Sequence, residues 1–578
     1  MKRTDFSVDW LFAACAPDTE LLPWNAQFTP VDLPHDWQIR HADDLYRDGT
    51  LFYRKYFFVT DVPGIRRMLW FGGAYMDTTV FVNGTEVGQW KYGYTSFWFD
   101  ITDALHEGQN EVLVRCNLRH PNSRWYSGAG LYRNVELWEA PDLHLMPDGL
   151  YVAAKEGDNG AWTVAVTAEV GSITAASTGR TLTLHLTDDN GSLLGTAAIP
   201  ADAWAALPSP DGWRTGKETA IYKASHTFTL QDPALWDLDA PNFYHITAEL
   251  TGADGVTDTL TTRFGCRTIE ATPDCGLLVN HKRVLIKGVC IHHDFGCLGS
   301  AFEYSAAKRQ LEILKSMGVN SIRTGHTPPA PQFMDLADEM GILMDVESFD
   351  CWRRGKNPYD YGRFFDEWQE KDVAAWIRRD RNHPSLLFWC IGNEIYDTHA
   401  GPEGADTMRM LLAEVAAHDP ARNGIPTLGS NYMPWENTQH CADIIKVAGY
   451  NYGERLYASH HEKHPDWVIY GSETSSIVQS RGIYHFPLSQ SLLSDDDLQC
   501  SSLGNSRTSW GAESWDVCLQ SEQRWPFTLG QYLWAGWDYI GEPTPYHTRS
   551  SYFGTIDTAG FPKDAYYVVQ AAWLDPKT

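Results

Sequence analysis

Positive charge is what this sequence is short of. Lys and Arg number 46 against 74 Asp and Glu, a formal charge of −28 over 578 residues. A field of that sign repels nucleic acid and anionic membrane, which argues against both as partners. Cysteine is sparse and unpatterned. The 11 cysteines are an odd number, scattered, and no two stand in a C-x-x-C pair. That spacing offers neither a disulfide framework nor a zinc site, and it fits reduced thiols in a cytoplasm. Cys290 and Cys297, among apolar neighbours, read as core rather than as ligands. No apolar run reaches the length of a membrane span, and low-complexity tracts are missing. The opening "MKRTDFSVDWLFAACAP" has the outline of a lipoprotein signal ending at Cys15, but Asp5 and Asp9 interrupt its apolar stretch. Alternation of Phe6, Val8, Trp10 and Phe12 predicts a first strand there instead. The chain reads as cytoplasmic.

What is present is ordinary globular material in three rhythms. Apolar residues make up 43% and charged ones 21%, so disorder is not expected. Residues 1–139 read as all-β. "MDTTVFVNGTEVGQW" is two alternating runs joined at Asn83-Gly84, a dipeptide suited to a type I′ hairpin because both central residues need positive φ. Residues 140–266 form a second β module, with turns expected at Asn190-Gly191 and Asp254-Gly255. These spacings suit a jelly roll followed by an immunoglobulin-like sandwich. From 267 to 578 short apolar runs alternate with amphipathic helices. Strands are expected at 284–292, 320–325, 342–348, 386–393, 425–431, 446–452, 467–473 and 531–538. Helices end at Gly318 and run from Pro331 to Gly341. Eight such units over about 310 residues fit a (β/α)8 barrel. The chain stops soon after "AYYVVQAAW", and no further β domain is expected.

A barrel of this kind carries its chemistry at the C-terminal ends of its strands. The run "RDRNHPSLLFWCIGNEIYD", Arg379 to Asp397, delivers Asn393 and Glu394 there, at the end of the fourth strand. The seventh strand, "WVIYGSE", closes on Glu473. An isolated Asn-Glu pair is usually a solvated turn, but two carboxylates facing one another at a barrel mouth suit glycosidic bond cleavage. One is protonated to help the leaving oxygen depart, and the other is ionised to attack the anomeric carbon.

Six motifs in order carry a resemblance. "LPHDWQI", "SGAGLYRNVEL", "LIKGVCIHHDFGCLG", "RTGHTP", "RDRNHPSLLFWCIGNE" and "GSETSS", followed by "LWAGWDYIGEPTPY", resemble glycoside hydrolase family two along nearly the whole chain. That family comprises β-galactosidases, β-glucuronidases and β-mannosidases. The resemblance implies an acid/base at Glu394 and a nucleophile at Glu473, with carboxyl groups about 5–5.5 Å apart and retention of configuration. It also implies that Asn393 bonds the sugar 2-hydroxyl, Arg323 steadies the nucleophile, and His292 and His326 contact hydroxyls. Tyr452 matches a tyrosine bonded to the nucleophile, and Trp534 an indole flooring the pocket. His35 reads as structural, while His293 and Asp294 read as orienting His292.

Some departures narrow the substrate. Ser123-Arg124-Trp125 stands where some relatives place a pocket aspartate. The stretch "ESFDCW" lacks the histidine of a Glu-x-His magnesium pair, so neither a catalytic metal nor a cofactor is expected. Lys563 lies beyond the place of the lysine with which glucuronidases meet a sugar carboxylate. The reading is an exo-acting β-galactosidase on terminal non-reducing β-D-galactosides. A β-glucuronidase, another β-glycosidase of the family and a non-catalytic carbohydrate-binding barrel are the alternatives. The implied partner is carbohydrate, with homo-oligomerisation left open.

Overall fold

A computed structural model describes all residues except 42, 61–63, 174–177, 208–212, 214–215, 253–254, 485–491, 494–499, 502–511, 543–548 and 575–578. The expected turn residue Asp254 lies outside the described residues.

The N-terminal jelly roll packs a six-stranded sheet, which includes Trp10–Cys15, Gly49–Val59, Thr78–Val82 and Gly108–Leu118, against a four-stranded one. The Asn83-Gly84 hairpin joins Thr78–Val82 to Thr85–Trp90 with both turn residues at positive φ, 49° and 78°. The first strand departs from expectation. Lys2–Asp5 joins the smaller sheet and Trp10–Cys15 the larger, so Phe6 to Phe12 is not one strand. Asp9 takes φ 57°, which turns the chain between sheets; Phe6 and Trp10 are buried, while Val8 is exposed. Alternation continued through that break by coincidence. His35 is buried against the Tyr53 hydroxyl, 2.8 Å away.

The second sandwich stacks two four-stranded antiparallel sheets over a core of Leu, Val and Trp side chains. The Asn190-Gly191 turn links Thr181–Asp188 to Leu193–Pro200, and Gly191 supplies φ 81°. A three-stranded sheet over 269–284 then leads to the barrel. It takes Val284, so the first barrel strand begins at Ile286 rather than at 284.

Eight parallel strands close into the barrel: Ile286–Ile291, Ser321–Thr324, Leu343–Glu347, Leu386–Asn393, Ile425–Ser430, Val447–Asn451, Val468–Ser475 and Gly530–Trp534. All eight residues of "LLFWCIGN" are buried. A parallel strand is covered on both faces, and that demands a continuous apolar run rather than alternation. Helix Tyr304–Ser316 buries Leu311 and Leu314. Helix Pro331–Met340 stops on Gly341 at φ 63°, a left-handed cap that glycine adopts without strain. No described helix is long and apolar enough to cross a membrane.

The polar half of the central motif occupies the foot of the barrel, where it ties the domains together. Arg378 grips Glu169 at 2.8 and 3.2 Å. Arg381 donates to the carbonyls of His418 and Asp148. Asn382 accepts from Val152 N and donates to Leu150 O and Thr262 Oγ1, all within 3.0 Å. Arg379 reaches Ser96 of the first sandwich.

Candidate active site

The mouth of the barrel gathers the expected residues around one guanidinium. Arg323, on the second strand, is fully buried. Its Nη1 donates to Glu473 Oε1 at 2.8 Å and its Nη2 to Asn393 Oδ1 at 2.9 Å. The same Nη2 also pairs with Glu347, at the end of the third strand. A planar fork with five donors can hold three strand ends at once; a lysine could not.

Glu473 is completed by Tyr452, whose hydroxyl donates to Oε2 at 2.8 Å. The seventh strand continues two residues past Glu473, to Ser475. Tyr452 follows directly on the sixth strand, and φ 54° turns its ring toward the cleft. Burial pushes the Glu473 carboxyl up to about 7, with Arg323 pulling it down and the nearby Glu394 adding to the rise. Glu347, equally buried, is pushed up to about 8 against the pull of Arg323.

Glu394 leaves the fourth strand at φ 46°, with its backbone N–H held by Gly429 O at 2.8 Å. Asn451 Nδ2 donates to Glu394 Oε1 at 3.0 Å and to Asn393 Oδ1 at 3.1 Å. The carboxamide and the carboxylate are thereby fixed as a unit.

The aromatic side of the cleft is built by Trp534 and the two histidines. Trp534 ends the eighth strand, four residues earlier than expected, and stacks on His326 at 5.3 Å and 2° between planes. His326 Nδ1 lies 2.6 Å from Glu347 Oε2, and its Nε2 is 3.7 Å from Glu473. His292 packs against Trp125, Tyr539 and Trp534, with centroids 5.2, 4.1 and 5.3 Å away. It is buried, and neither ring nitrogen has a hydrogen-bond partner. Burial holds both histidines below their ordinary range, so both rings are neutral. His293 and Asp294 do not orient His292. His293 Nε2 meets Ser127 O at 3.1 Å, and Asp294 accepts from Gly296 and Ile540 backbone N–H groups. The two residues dock the first sandwich and the eighth-strand exit.

Four further residues of the site drew no expectation from the sequence. Asp350, in the third-strand loop, accepts from Arg124 at 2.9 Å, from Lys356 at 2.7 Å and from Asn393 Nδ2 at 3.1 Å. With two cations beside it, its carboxyl is held down at about 2 despite burial. Lys356 also donates to Asn393 O at 3.0 Å. Asn451 is the third, and Glu542, beyond the eighth strand, is the fourth. Arg124 comes from the first sandwich, and its Nη1 stands 3.7 Å from both Glu394 and Glu542. Lys563 is buried away from the cleft against Asp538 at 2.6 Å.

At the mouth Glu347 is spent on Arg323 and His326. Among the described residues, Asp335, Asp338 and His383 lie close enough together to share an ion. They sit at the foot, and Arg263 already reaches both aspartates.

Comparison with known proteins places this geometry. Residues 148–267 match the model described as "Glycosyl hydrolases family 2", and residues 271–461 match "Glycosyl hydrolases family 2, TIM barrel domain". The chain is similar to "Beta-galactosidase BoGH2A" of Bacteroides ovatus, with 34% identity over 99% of this chain and 72% of that protein. It is also similar to a "Beta-glucuronidase" of Bacteroides fragilis, with 26% identity over 95% of this chain and 80% of the other. Among solved structures, a β-glycosidase from Bacteroides vulgatus superposes with a TM-score of 0.84 at 28% identity, covering 100% of this chain and 75% of that one.

Proposed function

The chain belongs to glycosyl hydrolases family 2, and from that premise we propose that it is a retaining, exo-acting β-galactosidase working through a covalent glycosyl-enzyme. The observation that carries the reading is the buried network in which Arg323, Asn393 and Asn451 join Glu473 to Glu394. Glu473, oriented by Arg323 and Tyr452, attacks the anomeric carbon. Glu394, more open to the cleft and held by Asn451, protonates the departing oxygen. It then takes a proton from the water that releases the sugar. The Tyr452 and Arg323 donors are placed before the reaction, so little reorganisation is needed when charge moves off Glu473. Trp534 offers an apolar face to the sugar ring. The unpartnered nitrogens of His292 are groups that a sugar hydroxyl would satisfy.

A neutral sugar is supported by how the cations are spent. Among the described residues of the cleft, Arg323, Lys356 and Arg124 each lie against carboxylates, and Lys563 is bound to Asp538. A glucuronide carboxylate entering there would lose its hydration without an unspent partner. Arg124 favours the second reading, a β-glucuronidase, because its Nη1 has no partner within hydrogen-bond distance and faces the cleft.

The deciding experiment compares nitrophenyl β-galactoside with the β-glucuronide and follows the anomer released first. A galactoside preference with a first-formed β-anomer supports the proposal. An inverted product overturns the mechanism, and a glucuronide preference abolished by Arg124→Ala overturns the sugar.

A further inference from the structure

At the foot of the barrel a crevice of about 370 Å³ opens between the second sandwich and the starts of the fourth and fifth strands. Its walls include Arg267, Arg381, Arg422, Lys155 and His383. His383 is paired with Asp338 at 2.7 Å, but in a chain with a net charge of −28 the other four cationic side chains around one cavity need an explanation. The acidic groups of the lining do not provide it. Glu156 and Glu270 are both turned to His281, at 2.5 and 3.5 Å.

Arg381 is buried and Arg267 partly buried, and neither has a counter-charge in contact. Arg267 Nη2 donates to the carbonyls of Leu386 and Asn423, and its Nη1 is buried with no hydrogen-bond partner. Arg381 spends two nitrogens on the carbonyls of His418 and Asp148, and its Nε has none. Neither guanidinium forms an ion pair among the described residues. Burial pushes both down to about 9, so both remain cations at neutral pH. Buried charges are ordinarily paired, because carbonyl dipoles alone recover only part of the lost hydration. Lys155 and Arg422 stand exposed at the rim, where they would draw an anion inward. The amides of Asn382 and Asn423 complete a polar lining.

We propose that this crevice is an anion-binding site, separate from the barrel mouth, for an oxyanion of the phosphate or sulfate class. The inference does not depend on the reaction assigned to the mouth. A cavity of this volume has room for a free oxyanion with its waters or for one borne on a monosaccharide.

The test is calorimetric titration and thermal melting of the full chain with inorganic phosphate, inorganic sulfate and glucose 6-phosphate, against chloride at matched ionic strength. Phosphate or sulfate is expected to raise Tm by about 2 °C over chloride. Tighter binding of the sugar phosphate would identify the carrier, and equal binding would identify the free ion. The rim variant Lys155→Glu with Arg422→Glu leaves the clamp and the mouth untouched. It is expected to lose at least about tenfold in affinity while keeping its activity on whichever nitrophenyl glycoside the unaltered protein cleaves. No heat and no Tm rise beyond chloride overturns the site, as does undiminished binding in the rim variant.

Discussion

The motif "RDRNHPSLLFWCIGNE" serves two ends of one strand, and the two ends are built differently. At the foot, Asn382 is held by the backbone of the second sandwich, through a carbonyl and an amide that are always present, and Arg381 donates to one further carbonyl there. At the mouth, Asn393 and Glu394 are satisfied by other side chains that converge from different strands and loops. The foot thus makes a fixed joint with ordinary hydrogen bonds. The mouth concentrates charge of both signs in a buried volume, where each group alters its neighbours' protonation. Polar residues in the same motif hold the domains at one end and build the candidate site at the other.

Substitutions that separate chemistry from stability sharpen that contrast most. Glu473→Ala should lower kcat by roughly 10⁴-fold or more with little change in Tm, and azide should restore turnover as a glycosyl azide of opposite configuration. Glu394→Ala should spare activated aryl leaving groups and penalise poor ones. Equal losses on both substrates would remove Glu394 from the acid role.

Next in size is the pH dependence of the mouth. In the proposed mechanism Glu473 attacks only when ionised, and its carboxyl is pushed up to about 7. On a stable galactoside, kcat/KM should therefore fall about tenfold per pH unit below that value. A flat profile down to pH 5 would show that Arg323 dominates burial. Arg124→Ala should cost about tenfold in kcat/KM, near 1.4 kcal/mol, by freeing Asp350 and loosening Glu394.

At the foot the effect falls on stability instead of on activity. Asn382→Ala leaves the Val152 N–H without its acceptor and should cost about 2 kcal/mol of stability in urea unfolding, with kcat unchanged at 25 °C. A fall in kcat of the same proportion would break the division between the two ends.

A purely pH-dependent effect is expected at His383. Asp338 raises its pKa from 6.5 to about 9 against the opposing effect of burial. A raised folded-state value gives stability that is fully present below pH 6.5 and lost as pH climbs through about 9. His383→Gln should flatten stability measured across that window.

The sequence made the barrel legible because buried parallel strands are written as unbroken apolar runs, and Leu386–Asn393 is the plainest of them. Glu394 and Glu473 were legible because strand ends are where such barrels place chemistry. Asp350, Lys356 and Glu542 were not, since each lies in a loop without periodicity and is given its place by a partner far along the chain. The first strand misled for the opposite reason. Its alternation was real, but one aspartate at positive φ divided it between two sheets.

The roof of the cleft is a seam. Trp125 pairs with Gly541, and Tyr126 N donates to Ile540 O at 3.0 Å. The first of these segments leaves the ribosome more than 400 residues before the second. The jelly roll can fold while the barrel is still being translated, yet its contribution to the pocket has nothing to close against until the eighth strand and its exit loop have emerged. Glycosidase activity in a nascent chain should therefore switch on in a single step once that exit loop has emerged, and a barrel expressed apart from its N-terminal sandwich would lack Arg124 and the indole beside His292.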